Sequence, residues 1–236
     1  MTKAPATSAH VLMIVTSHAD LGQTGAKTGL WMEELAAPYR LFRAAGFKIT
    51  IASPQGGAAP VDPGSLAEGF ATEDVAGFQG DAEAMAQLAD TRTLASITAL
   101  KDYDALFLVG GHGTMWDFFP NADLTRLLAE AGRRGTVVGA VCHGVAALLN
   151  PGDDPAARHR LSGLRLTGFS NAEESAVGLT DAVPFLLESE LRAHAALYES
   201  GPAFGPHVIQ DGRYFTGQNP ASSRDLADAM VRDLRR

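Results

Sequence analysis

The chain has a single cysteine, Cys142, among 236 residues. One thiol cannot form an intrachain bridge, so disulfides do not stabilise this fold, and a reducing, cytoplasmic compartment is the expectation. Basic residues are scarce as well: 19 Lys and Arg stand against 27 Asp and Glu, a formal net charge of -8. The longest basic runs are pairs, Arg133-Arg134 and Arg235-Arg236. A general nucleic-acid binder needs a basic face, so nucleic acid is not an expected partner. No early apolar run approaches the ~20 residues that span a bilayer, and no membrane partner is expected. The opening MTKAPATSAH has one Lys and no apolar segment ahead of Val11. It reads as a flexible tail over residues 1–9 rather than a secretory signal. Charged residues make up 19% and apolar residues 46%, the balance of a globular chain and not of a disordered one. Internal repeats, low-complexity linkers and the spacings HExxH and CxxC are all missing. No metal site is expected. The segment SHADLGQTG (17–25) lacks G-x-G-x-x-G, so no nicotinamide cofactor is expected either.

What is present is an alternation of short apolar runs with amphipathic stretches. That pattern predicts βαβ units around a parallel sheet, in one α/β domain over residues 10–236. HVLMIVT (10–16), FKITIAS (47–53), DALFLVGG (104–111) and TVVGAV (136–141) read as strands. WMEELAAPYRLFRAAG (31–46) reads as a helix ending at Gly46, which Pro38 shortens or kinks. Residues 80–91 look helical, and NADLTRLLAEAGRRG (121–135) is an amphipathic helix with Asn121 as N-cap. Residues 183–198 read as helix, 207–217 as a hairpin turning at Asp211-Gly212, and the last segment as a helix opened by Pro220. Residues 54–79, rich in Gly, Pro and Ala, form a long connection: a packed surface excursion or a functional loop.

Cys142 ends the strand TVVGAV and is followed by His143, with Ala140 and Gly144 two residues to either side. Small flanks around a nucleophile are the signature of a sharp strand-to-helix turn. Such a turn lifts the thiol past the carboxyl edge of the sheet and places it at a helix N-terminus, whose positive end favours thiolate. A lone buried cysteine is also a common core filler. Gly110-Gly111-His112-Gly113 ends another strand, where glycines let backbone N–H groups approach an oxyanion or simply make a tight turn. Glu33 and Glu34 open a mostly apolar helix beside Trp31, Met32 and Leu35, so one of them is a candidate to point inward.

TGLWMEELAAPY (28–39), GGHGTMWDFFP (110–120), AVCHG (140–144), GFSNAEE (168–174) and TGQNPASS (216–223), in that order, make the chain resemble the ThiJ/PfpI superfamily, also called class I glutamine amidotransferase-like. Its nearest likeness is to the heat-shock chaperone and glyoxalase III branch. The resemblance implies a flavodoxin-like parallel sheet between helices and a homodimer. By motif it implies Cys142 as nucleophile and His143 as its histidine. Glu34, in preference to Glu33, is the acid beside the thiol, and Glu174, with Glu173 as competitor, orients the histidine. Gly111 and His112 form the turn facing the thiol as oxyanion or substrate contacts. It further implies cofactor-free conversion of methylglyoxal and related aldehydes to hydroxy acids, with protein deglycase action as an extension. A holding chaperone, a cysteine-oxidation sensor and a cysteine peptidase or amidase are the competing readings. Glutamine hydrolysis is disfavoured, since none of the seven histidines is followed two residues later by Glu.

Overall fold

A computed structural model describes residues 8–152 and 160–236. Of the tail expected over residues 1–9, residues 1–7 lie outside the described residues, while Ala9 is buried and its carbonyl accepts from the Lys48 N–H. Seven strands form one sheet in the order β3-β2-β1-β4-β5-β9-β8. They are β1 (His10–Ile14), β2 (Lys48–Ser53), β3 (Arg92–Thr93), β4 (Ala105–Leu108), β5 (Val137–Val141), β8 (Val208–Asp211) and β9 (Tyr214–Gly217). All neighbours run parallel except the β8–β9 hairpin. The central strands read as continuous apolar runs because helices cover both faces: β4 and β5 are buried at every position. This is the doubly wound, flavodoxin-like α/β architecture expected from the sequence. A two-stranded pair, β6 (Arg165–Leu166) with β7 (Leu197–Tyr198), lies outside the main sheet.

Helix α1 spans Met32–Ala44 and passes Pro38 without interruption. Pro38 cannot donate to the carbonyl of Glu34, so the lost bond falls in the turn that carries Glu34. Helices α2 (Glu73–Gln79) and α3 (Ala82–Ala89) follow β2, and the short α4 (Thr114–Asp117) follows β4. Helix α5 (Ala122–Arg134) begins at Asn121, whose side chain accepts from the Leu124 N–H, and ends at Gly135 with φ 71°. Helix α6 covers Asn171–Ala176 and α7 Leu187–Ala193. The helix expected over 183–198 is therefore only seven residues long: Ala195 takes φ 62°, and Leu197–Tyr198 leave to pair with β6. Helix α8 (Ser223–Leu234) lies on β5 so closely that a Cβ at Gly139 would stand 2.3 Å from Met230 Sδ. Residues 54–79 contain two short 3-10 turns and α2, and leave Leu66 and Phe70 exposed. No helix among the described residues is long and apolar enough to cross a membrane.

Candidate active site

Strand β5 delivers Cys142 to the carboxyl edge of the sheet, where ligands of this architecture bind. There the backbone reverses sharply, with φ of 56° at Cys142. A side chain in the left-handed region costs about 1–2 kcal/mol, and a chain keeps such strain only where surrounding contacts fix it. The flanks explain how the turn fits. A Cβ at Gly144 would lie 2.5 Å from the Leu108 carbonyl, so only glycine lets the chain double back against β4.

From the thiol a relay of polar groups runs inward. Cys142 Sγ lies 3.3 Å from His143 Nδ1, and His143 Nε2 is 2.8 Å from Glu174 Oε2. The other oxygen of Glu174 is 2.9 Å from His112 Nε2. Burial pushes the Glu174 carboxyl up, but the two imidazoles outweigh it and hold it at about 2. An ionised Glu174 requires N–H at both Nε2 atoms. That leaves Nδ1 of His143 as a lone pair facing the thiol. Burial, and then the neighbouring His112, hold His143 at about 4 against the pull of Glu174, so the ring is neutral at pH 7. Its faces are closed by His112, with centroids 4.1 Å apart, and by Phe169 at 4.4 Å.

Glu34 approaches from α1 and is completely buried. Neither of its oxygens has a partner at ordinary hydrogen-bond geometry. Its polar neighbours are the Cys142 thiol and the Gly110 N–H. Those contacts fall short of full hydrogen bonds, so burial dominates and raises the carboxyl to about 8. Glycine is required opposite it: a Cβ at Gly110 would stand 2.3 Å from Glu34 Oε2. The thiol is likewise raised well above its ordinary range, by burial first and by Glu34 second. Here the sequence expectation fails. A helix N-terminus was to favour thiolate, but residues 142–149 form a 3-10 helix, and desolvation beside a carboxyl outweighs any dipole.

The adjacent glutamates separate cleanly. Glu33 points away from the thiol, accepts from the Thr72 hydroxyl and lines an outer cavity of about 420 Å³. Glu173 belongs to the N-terminal cap of α6 and does not touch the histidines, which Glu174 holds. Gly111, with φ 111°, faces the backbone of Gly29 and Trp31 so closely that no side chain fits. Both Gly111 and His112 line the thiol cavity, and the His112 side chain additionally holds Glu174. That cavity measures about 110 Å³. Its walls are apolar: Trp31, Phe70, Phe169, Val177, Phe204 and Pro220. Of these, Trp31, Phe169 and Pro220 fall inside the quoted motifs, whereas Phe70, Val177 and Phe204 carried no signal. Phe70 places the 54–79 segment at the mouth of the site, where its ring meets Trp31 edge-on at 4.9 Å.

No metal was expected, because ligand-like spacing is missing from the sequence. The fold nevertheless gathers ligand-type atoms of His112, His143 and Glu174 within 4.8 Å of one another, from three distant segments. In this arrangement both Nε2–H groups are spent on the carboxylate, which makes the cluster a hydrogen-bonded relay.

Comparison with known proteins places the chain among similar sequences and folds. The model of the DJ-1/PfpI family matches residues 28–233. The glutathione-independent glyoxalase HSP31 of Saccharomyces cerevisiae is 33% identical over 95% of this chain and 98% of its own. A solved structure of the Rapid Encystment Protein 24 kDa of Francisella tularensis superposes with a TM-score of 0.91 at 38% identity, covering 96% of this chain and 99% of that one. The structure of glyoxalase III from Candida albicans superposes with a TM-score of 0.85 at 27% identity, over 95% and 96% of the two chains.

Proposed function

The chain belongs to the DJ-1/PfpI family, and from that premise we propose that it is a glutathione-independent glyoxalase. It converts methylglyoxal and related small 2-oxoaldehydes to 2-hydroxy acids with no cofactor. The observation that carries this reading is the thiol itself: Cys142 at a left-handed turn, 3.3 Å from an imidazole nitrogen, on the wall of a small apolar cavity.

The chemistry balances with the groups present. Cys142 Sγ adds to the aldehyde carbon while His143 Nδ1 takes the thiol proton and passes it to the former carbonyl oxygen. The product is a neutral hemithioacetal, so a thiol of raised pKa serves as long as its proton leaves during attack. Nδ1 then removes the hydrogen from that carbon, and Glu34, protonated at pH 7, gives its proton to the neighbouring ketone oxygen. The resulting enediol takes the proton back from His143 at the second carbon. Its first hydroxyl returns a proton to Glu34, leaving a thioester of the hydroxy acid. Water cleaves the thioester and restores the thiol. One carbon is oxidised and its neighbour reduced, so no external electron acceptor is needed. Gly111 and His112 line the thiol cavity, and this reading assigns their backbone N–H groups to the oxyanion that develops when water attacks the thioester.

The raised thiol disfavours a peroxide sensor, which depends on thiolate. A cavity of about 110 Å³ disfavours a peptidase. The same reading takes the working form to be a cytoplasmic homodimer acting on small molecules and not on nucleic acid. Net charge of -8 supports the last point, and sedimentation at micromolar protein tests the dimer. The functional test is lactate formation from methylglyoxal without glutathione. Wild type makes lactate, and Cys142→Ala loses at least a thousandfold of that rate, as removal of a nucleophile does elsewhere. A wild-type protein that consumes no methylglyoxal overturns the proposal.

A further inference from the structure

Glu173 makes more bonds than a helix cap requires. As the third residue of α6 it completes a capping box, and its Oε2 accepts from the Ser170 N–H at 2.9 Å and hydroxyl at 2.7 Å. Those two bonds satisfy the cap. Yet Glu173 is completely buried, and its second oxygen is engaged as well. Oε1 accepts from the Phe204 N–H at 2.7 Å and from Asn219 Nδ2 at 2.8 Å. Burial pushes this carboxyl up, but the bonds from Ser170, Phe204 and Asn219 outweigh it and keep it below the ordinary range.

Both extra partners belong to the walls of the cavities. Phe204 borders the inner thiol cavity and the outer one, and Asn219 borders the outer one. Phe204 is held with φ 59°, strain that a phenylalanine adopts only under constraint. Its ring is half exposed, yet it stands 6.4 Å from Phe169, which packs on His143. The Phe204 N–H points at Glu173, while the next residue is held by its own N–H to the Pro202 carbonyl and by Asn219 Nδ2, which donates to the Gly205 carbonyl. With Trp31, Phe70 and Pro220, Phe204 borders both a space of about 110 Å³ and one of about 420 Å³, so its ring is part of the wall between them.

We propose that Glu173 is a positioning residue: it pins the backbone of Phe204 so that the ring partitions the two cavities, and this partition selects small 2-oxoaldehydes over bulky ones. The inference rests on the aldehyde reading for its substrate and on the structure alone for its geometry. Two readouts therefore test it. The first is the ratio of kcat/KM for phenylglyoxal to that for methylglyoxal. The second is the ratio of Cys142 alkylation rates by N-phenylmaleimide and by iodoacetamide, which needs no turnover and reports one thiol only. Phe204→Ala raises both ratios roughly tenfold, the scale of discrimination a hydrophobic pocket supplies. Glu173→Gln raises them in the same direction by less, and it speeds hydrogen exchange of the Phe204 amide. Ser170→Ala weakens the cap but leaves Oε1 in place, and it keeps the wild-type ratios. Should Glu173→Gln not fold, Glu173→Asp takes its place. Unchanged ratios in Phe204→Ala overturn the partition. Wild-type ratios and amide exchange in Glu173→Gln, with only a lowered melting temperature, reduce Glu173 to a cap. Should wild type prove inert toward methylglyoxal, the aldehyde reading fails separately, and the alkylation ratio still decides.

Discussion

Glu34→Gln tests the site where activity and stability pull apart. The side chain is completely buried, and its carboxyl titrates near 8 in the folded chain against 4.5 when unfolded. A raised folded pKa means that the native state holds a proton the unfolded state has released. Its contribution to stability is fully present below pH 4.5 and is lost as pH rises toward 8. At about 1.4 kcal/mol per pKa unit, the penalty is under ~1 kcal/mol at pH 5, about 3 at pH 7 and near 5 above pH 9. Glutamine carries no such penalty at any pH. It brings a cost of its own, since its amide enters a place where no oxygen of Glu34 has an ordinary partner. That cost, of order 1–3 kcal/mol, does not change with pH. The diagnostic is therefore the slope. Urea unfolding of both proteins between pH 5 and 8 should show the stability of the variant gaining on wild type by about 2–3 kcal/mol from pH 5 to pH 7. Lactate formation by the variant should meanwhile fall by ~10²–10⁴, the range for a lost acid–base group. A difference between the two proteins that stays flat with pH would mean that Glu34 is ionised in the fold, and the proton transfers assigned to it would go with it.

Two more outcomes follow from the same electrostatics. His143 is held at about 4 against 6.5 unfolded, so below pH 6.5 the unfolded state binds a proton that the folded state refuses, and stability falls with acidification. Between pH 7 and pH 4 wild type should lose about 3 kcal/mol that His143→Gln does not, read from denaturant midpoints, and parallel curves would refute it. Because the Cys142 thiol is raised and Glu34 is its second cause, alkylation by iodoacetamide should keep accelerating above pH 9 in wild type. In Glu34→Gln the same rise should come at lower pH, and identical profiles would separate the carboxyl from the sulfur.

Much of the fold was legible because period and punctuation agreed. The apolar runs of β1, β4 and β5 have no other use than a covered parallel sheet, and Asn121 and Gly135 mark both ends of α5 by chemistry. The 183–198 segment misled because its apolar spacing continues past the true stop, where alanine and not glycine takes the left-handed turn at position 195. Two-residue strands such as β7 leave no periodic trace at all. At the site, the motif order located Cys142, His143, Glu34 and Glu174, but the bare sequence could not assign either glutamate pair. Neighbours on a helix point about 100° apart, so a shift of one residue exchanges cavity for solvent or for a cap. The thiolate expectation failed on magnitude. A helix terminus offers about 0.3–1 kcal/mol, whereas full burial shifts a pKa by several units. Sequence spacing reports the first and is blind to the second.

The strand order also sets a clock on biosynthesis. β5 ends at Val141, but the neighbour that covers its far side, β9, starts only at Tyr214. Translation at roughly 5–20 residues per second leaves the nucleophile strand with a bare edge for about 4–15 seconds in each nascent chain. Through that interval an apolar strand with unpaired amides faces whatever else is nearby. The Glu173 contact to Asn219 cannot form until it ends, because Asn219 follows Tyr214 in the chain. A chain interrupted before Tyr214 would carry the thiol, both histidines and every wall of the thiol cavity except Pro220, but not the strand that braces β5, so any turnover it lost would be owed to the missing neighbour strand and not to a missing reacting group.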